Sequence, residues 1–172
     1  MNAKKINNNF EPYKRVVKFA GSAIIVLLEL AAYYYVWMNY YNRNMTVAFW
    51  RRGNWLIAGE YLILSLVLHR LYGGLKVGIY KYWALVYSHM LSIVGVNAFS
   101  YVQVVLFDKK MHNPAALLGL TALDFVMVLL WALAFKKIYA AMFPKRRLLL
   151  IYGKKPMFHL VNRIDTRDDK YE

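Results

Sequence analysis

The chain has 172 residues, the length of one domain, and 60% of them are hydrophobic against only 19% charged, a balance far from that of a soluble protein. Its formal net charge of +14 would suggest nucleic acid in a soluble chain, so the placement of the apolar and basic residues has to decide. There is no cysteine, which excludes disulfides, thiolate metal sites and thiol nucleophiles.

The apolar residues fall in four blocks, at about 16–37, 55–71, 83–107 and 115–135, separated by short basic connections. Each approaches or exceeds the roughly 20 residues needed to cross a hydrocarbon core about 30 Å thick. Blocks rich in Leu, Val, Ala and Met without period-two alternation satisfy their backbone in lipid as helices rather than as barrel strands. The predicted fold is an all-α bundle of four transmembrane helices over 1–144, followed by a tail at 145–172.

The first block is too long for a cleaved signal peptide, and it ends in Tyr33-Tyr34-Tyr35-Val36-Trp37 rather than in small residues. It carries Glu29. The second block is the shortest, with Glu60 near one end and His69 and Arg70 at the other, and a re-entrant or surface helix is the alternative there. Trp50, Trp55 and Tyr72 suit interfacial anchors and favour a span. The connector at 70–82 mixes glycine, aromatics and lysines and predicts a tight turn. Gly74 and Gly78 match a GxxxG spacing, but in a charged loop that spacing carries no dimerisation meaning.

The third block places His89, Ser92, Asn97, Ser100 and Gln103 largely on one side at helical spacing. His89 reads as a packed polar residue rather than a metal ligand, because no second His or carboxylate stands three or four residues away. The fourth block carries Asp124. An ionised carboxylate near the bilayer centre costs about 2.5–3.5 kcal/mol on insertion scales, so both intramembrane acids require a reason. Glu29 and Asp124 lie at similar distances from the same ends of their spans, which puts them at nearly one depth. Two protonated carboxyls bonded to the polar side of the third span account for them more simply than a proton or substrate relay. Ser88 with Ser92, and Ala115 with Gly119, are spaced for close helix approach.

Of the 23 Lys and Arg residues, 18 fall in the two ends and the middle connector and five in the other two loops. That asymmetry predicts a cytoplasmic N-terminus and C-terminus, and makes nucleic-acid binding unnecessary. Lys145, Arg146, Arg147, Lys154 and Lys155 serve this orientation signal and are also candidate contacts to anionic lipid headgroups. Within the tail, an apolar run at 148–152 ended by Gly153, then helical potential from Pro156, predicts strand, turn and helix. One such unit buries neither of its faces and so reads as the start of a soluble domain.

Laid out in this order, the chain resembles the N-terminal membrane region of the bacterial polyprenyl-phosphate sugar-1-phosphate transferases, which initiate exopolysaccharide and capsule synthesis. The resemblance is carried by the four spans, by His69-Arg70-Leu71-Tyr72-Gly73-Gly74-Leu75-Lys76-Val77-Gly78, by the segment from Tyr87-Ser88 through Asn97 to Tyr101 and Gln103, and by the tail from Lys145 to Gly153. It implies that the tail opens a Rossmann-like domain, although Lys154-Lys155-Pro156 replaces the further glycines of a nucleotide-binding turn. It also implies a multi-pass protein of the bacterial inner membrane that anchors or oligomerises such an enzyme, as a homo-oligomer in contact with polyprenyl phosphate. The family's catalytic domain and divalent metal would act beyond residue 172, so no catalytic residue and no cofactor is assigned to this chain, and alone it is expected to be inactive. The alternatives are a stand-alone accessory protein of envelope polysaccharide assembly and, resting only on Glu29, Asp124 and the polar third span, a small transporter or channel.

Overall fold

In the computed structural model, which describes residues 12–78 and 80–143, all four apolar blocks are helices. They are α1 (Lys14–Val36), α2 (Arg51–Tyr72), α3 (Tyr82–Asp108) and α4 (Ala115–Met142). All four are long and apolar enough to cross a membrane. The second, the least secure from sequence, is 22 residues long because Arg51–Asn54 join it ahead of the apolar run. The fourth runs on past the expected end at 135 to Met142. The tail at 145–172, with its expected strand, turn and helix and its basic cluster from Lys145 to Lys155, lies outside the described residues.

The first helix does not stop at Val36. It continues as a π-helical segment (Trp37–Tyr41) and a last turn (Asn42–Asn44), so the helical path covers 31 residues. Widening a helix by one residue per turn rotates the facing of the residues after it, and here both Trp37 and Tyr41 are buried. The Trp37 indole N–H donates to Asn54 Oδ1 at 2.9 Å, tying this segment to the start of α2.

The helices pack as a closed ring, with α1 against α2, α2 against α3, α3 against α4, and α4 back against α1. Buried positions recur every three or four residues, as at Leu117, Leu120, Asp124, Val128 and Ala132 on α4. The outward faces keep large apolar residues such as Leu27, Leu28, Ile63 and Leu130 exposed, as a lipid-facing surface requires.

Close approach involves small residues that the sequence does not single out. A Cβ on Gly21 would lie 2.3 Å from the Phe135 ring, and one on Gly95 would touch Leu68. A Cβ on Gly119 would meet nothing within 4 Å, so the Ala115 and Gly119 pair is not a packing contact. Ser88 and Ser92 are buried, but their hydroxyls bond to Ala84 O and Ser88 O of their own helix.

Two apolar clusters fill the interior. One contains Tyr33, Trp37, Tyr41, Tyr61, Val96 and Leu120, the other Ile25, Val26, Val86, Ile93 and Val128. Along α1, Glu29 falls between the members of the two clusters, and along α4 Asp124 does the same. A polar layer therefore divides the core.

Candidate functional site

The polar layer is assembled from all four helices, and its centre is a three-residue constellation that spans sequence distances no local motif reveals. Glu29 from α1, His69 from the last turn of α2 and His89 from the second turn of α3 are 1%, 0% and 0% exposed. His69 Nε2 lies 3.5 Å from Glu29 Oε1, His89 Nδ1 lies 3.6 Å from the same oxygen, and the two ring nitrogens are 2.9 Å apart.

The outer nitrogen of each ring is already engaged. His69 Nδ1 is 2.8 Å from the carbonyl of Ser65, one turn earlier, and His89 Nε2 is 3.0 Å from the carbonyl of Gly74. A carbonyl only accepts, so both of these nitrogens carry hydrogen and donate. In neutral rings the inward nitrogens, His69 Nε2 and His89 Nδ1, then present lone pairs. They face each other and a carboxylate oxygen that has no hydrogen-bond partner of its own.

The connector closes this site. Gly73, with φ of 84°, ends α2 in the left-handed conformation, which glycine adopts without penalty. The chain then turns inward rather than lying over the bundle end. Gly74 gives its carbonyl to His89, Leu75 accepts from Ser22 Oγ at 3.2 Å, and Val77 is fully buried. A Cβ on Gly74 would come within 2.8 Å of the His69 ring and 3.5 Å of the His89 ring.

Asp124, fully buried, is not bonded to Glu29 but belongs to a neighbouring cluster. Asn97 Nδ2 lies 2.9 Å from Thr121 Oγ1 and 3.4 Å from Asp124 Oδ2, while its Oδ1 accepts from the Tyr61 hydroxyl at 3.2 Å. Gln103 is separate again and donates to Glu60 of α2. Of the five residues singled out from the sequence, Glu29 and His89 thus meet at the centre, Asn97 and Asp124 meet beside it, and Gln103 pairs elsewhere. His89 is a packed, fully buried polar residue whose partners come from α1, from α2 and from the connector rather than from its own helix.

Sequence reasoning misses His69. In the sequence it is visible only as a polar residue at the end of the second block, four after Ser65, and nothing in local spacing links it to Glu29. Three side chains of this type, each offering one ligand atom with all atoms within 4.8 Å of one another, form a group able to hold a metal ion.

A second feature lies between α1 and α2 at the Lys14 end. A cavity of about 470 Å³ is lined by Phe19, Val26, Leu62, Leu66, Leu75 and Val77, with Arg15 and Lys18 also on its wall. Its lining is mostly apolar, and Lys18 Nζ also lies 5.8 Å from the centre of the Tyr139 ring.

Comparison of the chain with protein-family models, with curated proteins and with solved structures gives no match.

Proposed function

We propose that the chain is the membrane-anchoring and oligomerisation module of a sugar-1-phosphate transferase, held in the bacterial inner membrane with both ends cytoplasmic, and that it performs no catalysis itself. The observation that carries this reading is the convergence of the two segments on which the resemblance rests. The segment at 69–78 is folded into the bundle against that at 87–103 through Gly74 and His89, and through Leu75 onto Ser22. Residues that look like a loop signature are packing determinants of the bundle, which suits a module whose task is to hold its shape in lipid.

The cavity beside Arg15 and Lys18 supports a lipid partner. Its apolar lining suits an isoprenoid or acyl chain, and basic residues at the connector end suit a phosphate. Polyprenyl phosphate combines the two chemistries, and this groove is the place in the bundle where it would bind.

Membranes containing only this chain are expected to form no lipid-linked sugar from a nucleotide sugar. A photoactivatable polyprenyl phosphate is expected to label Val26 and Leu62, which line the cavity, in preference to outward residues such as Ile63 and Leu130, and the preference should be lost in an Arg15→Glu, Lys18→Glu variant. Measurable product would make the chain an enzyme. Even labelling of all lipid-facing positions would remove the lipid site and leave a scaffold of envelope assembly as the better reading.

A further inference from the structure

We infer that Glu29, His69 and His89 form a buried binding site for a single divalent transition-metal ion of the zinc class. The inference goes beyond the proposed function and does not depend on it.

The lone pairs converge. Both outward ring nitrogens donate to backbone carbonyls, the arrangement that fixes the tautomer of a metal-bound histidine and orients its ring. This leaves His69 Nε2, His89 Nδ1 and Glu29 Oε1 as three acceptors aimed at one point, with no donor among them in the neutral-ring state. Such a convergence repels itself unless a proton or a metal cation sits at its centre. Glu29 Oε1, buried and without a hydrogen-bond partner, is the atom that shows the deficit.

The size of the site also fits. The three separations of 2.9, 3.5 and 3.6 Å define a triangle whose centre is about 1.9 Å from every corner, so an ion slightly out of that plane meets all three at the roughly 2.0–2.1 Å of zinc bonds to nitrogen and carboxylate oxygen. Tetrahedral coordination at those lengths places neighbouring ligand atoms about 3.3 Å apart, whereas adjacent corners of an octahedron lie about 2.9 Å apart. Two of the three edges fit the tetrahedron. A fourth position falls to the second Glu29 oxygen or to a water.

Charge points the same way. Asp124 Oδ1 is also buried without a hydrogen-bond partner. Two buried carboxylates inside lipid are costly when uncompensated. A dication bound by Glu29 and balanced by Asp124 leaves the layer neutral.

The test uses the full chain, purified in detergent through a tag without histidine and carrying His112→Gln, which removes the separate His112 and Asp108 pair as a competing ligand set. After chelation and dialysis, Zn²⁺ alone is titrated while binding and thermal unfolding are followed. One ion per chain and a higher unfolding temperature with Zn²⁺ are expected. X-ray absorption of the zinc form should show two imidazoles in a shell of nitrogen and oxygen.

Glu29→Gln puts an amide donor among the lone pairs. It is therefore expected to keep or raise the stability of the metal-free protein while weakening Zn²⁺ binding by more than the about 10–100-fold that loss of a supporting outer contact costs. A folded wild-type chain that takes up no Zn²⁺, or a zinc shell without two imidazoles, would show that the cluster holds only a shared proton and overturn the inference. So would Zn²⁺ affinity unchanged in Glu29→Gln. Should that variant fail to fold, the stoichiometry and the imidazole count of the wild type still decide.

Discussion

Gly74 and His69 are separated by just enough space for a hydrogen atom: a methyl group placed on Gly74 would stand 2.8 Å from Cδ2 of the histidine ring. No positive φ is involved at this glycine, so its requirement is for room and not for a special backbone conformation. Gly74→Ala is expected to displace the His69 ring or lift the connector, breaking the bond from His89 to the Gly74 carbonyl. The cost is about 1–3 kcal/mol, in the range of an overpacked core. Thermal unfolding of the purified chain measures it, with Gly119→Ala as the comparison. There an added Cβ meets nothing, and the substitution should be neutral or stabilising because alanine is the better helix former. Equal losses at the two glycines would contradict the packing described.

Gly21 makes the corresponding contact between α1 and α4, against the Phe135 ring. Gly21→Leu is expected to push the two helices apart and lower stability by at least about 1–3 kcal/mol. Because the obstruction is one aromatic ring, Phe135→Ala in the same chain should recover part of that loss. A double-variant cycle on unfolding temperature checks this, and strictly additive effects would mean that the two residues do not touch.

These two contacts show where sequence reasoning reaches and where it stops. The number of helices follows from local composition alone, because lipid demands some 20 apolar residues of each span wherever its neighbours lie. Boundaries at Tyr82, Asp108 and Ala115 fall within a residue of those expected for the same reason. The approach of Gly21 to Phe135, or of His69 to Glu29, joins residues on different helices, and in lipid the inward and outward faces carry the same Leu and Val, so no amphipathic stripe indicates which face packs. Glu29, His89, Asn97 and Asp124 can be singled out because a polar residue in an apolar run is conspicuous. Which of them meet cannot: the polar side of the third span is expected to offer partners to both acids, but nothing in the sequence assigns His89 to Glu29 and Asn97 to Asp124, or brings His69 in from the second helix.

At the other end of the bundle, Asp108 joins the two remaining loops. Its Oδ1 accepts from the Thr46 amide at 2.8 Å and its Oδ2 from His112 Nε2 at 2.9 Å, while Lys110 Nζ donates to Thr46 Oγ1 at 3.0 Å. Asp108→Ala removes both acceptors and should loosen the loops without unfolding the helices. Hydrogen exchange at the Thr46 amide should become faster while exchange in the middle of α3 stays unchanged. Protection that spreads evenly or does not change would show that the loops are held by something else.

Asn97 provides the last and most discriminating case, because it bonds to three other residues of the polar layer. Its amide donates towards Thr121 and Asp124 and its carbonyl accepts from Tyr61. Asn97→Leu keeps the branched outline of the side chain but leaves an acid and a phenol in a dry interior without their partner, at about 1–3 kcal/mol for each buried group so stranded. Asp124→Asn, by contrast, keeps a group that can both donate and accept at the same place, so normal membrane insertion and nearly wild-type unfolding of the metal-free protein are expected. Asp124→Lys forces a longer side chain of opposite sign into a fully enclosed position and should abolish correct assembly. Protease accessibility of the loops in membranes, together with the unfolding temperature in detergent, ranks the three. An Asp124→Lys chain that inserts and melts like the wild type would mean that Asp124 does not face the interior, and the polar layer would have to be rebuilt without it.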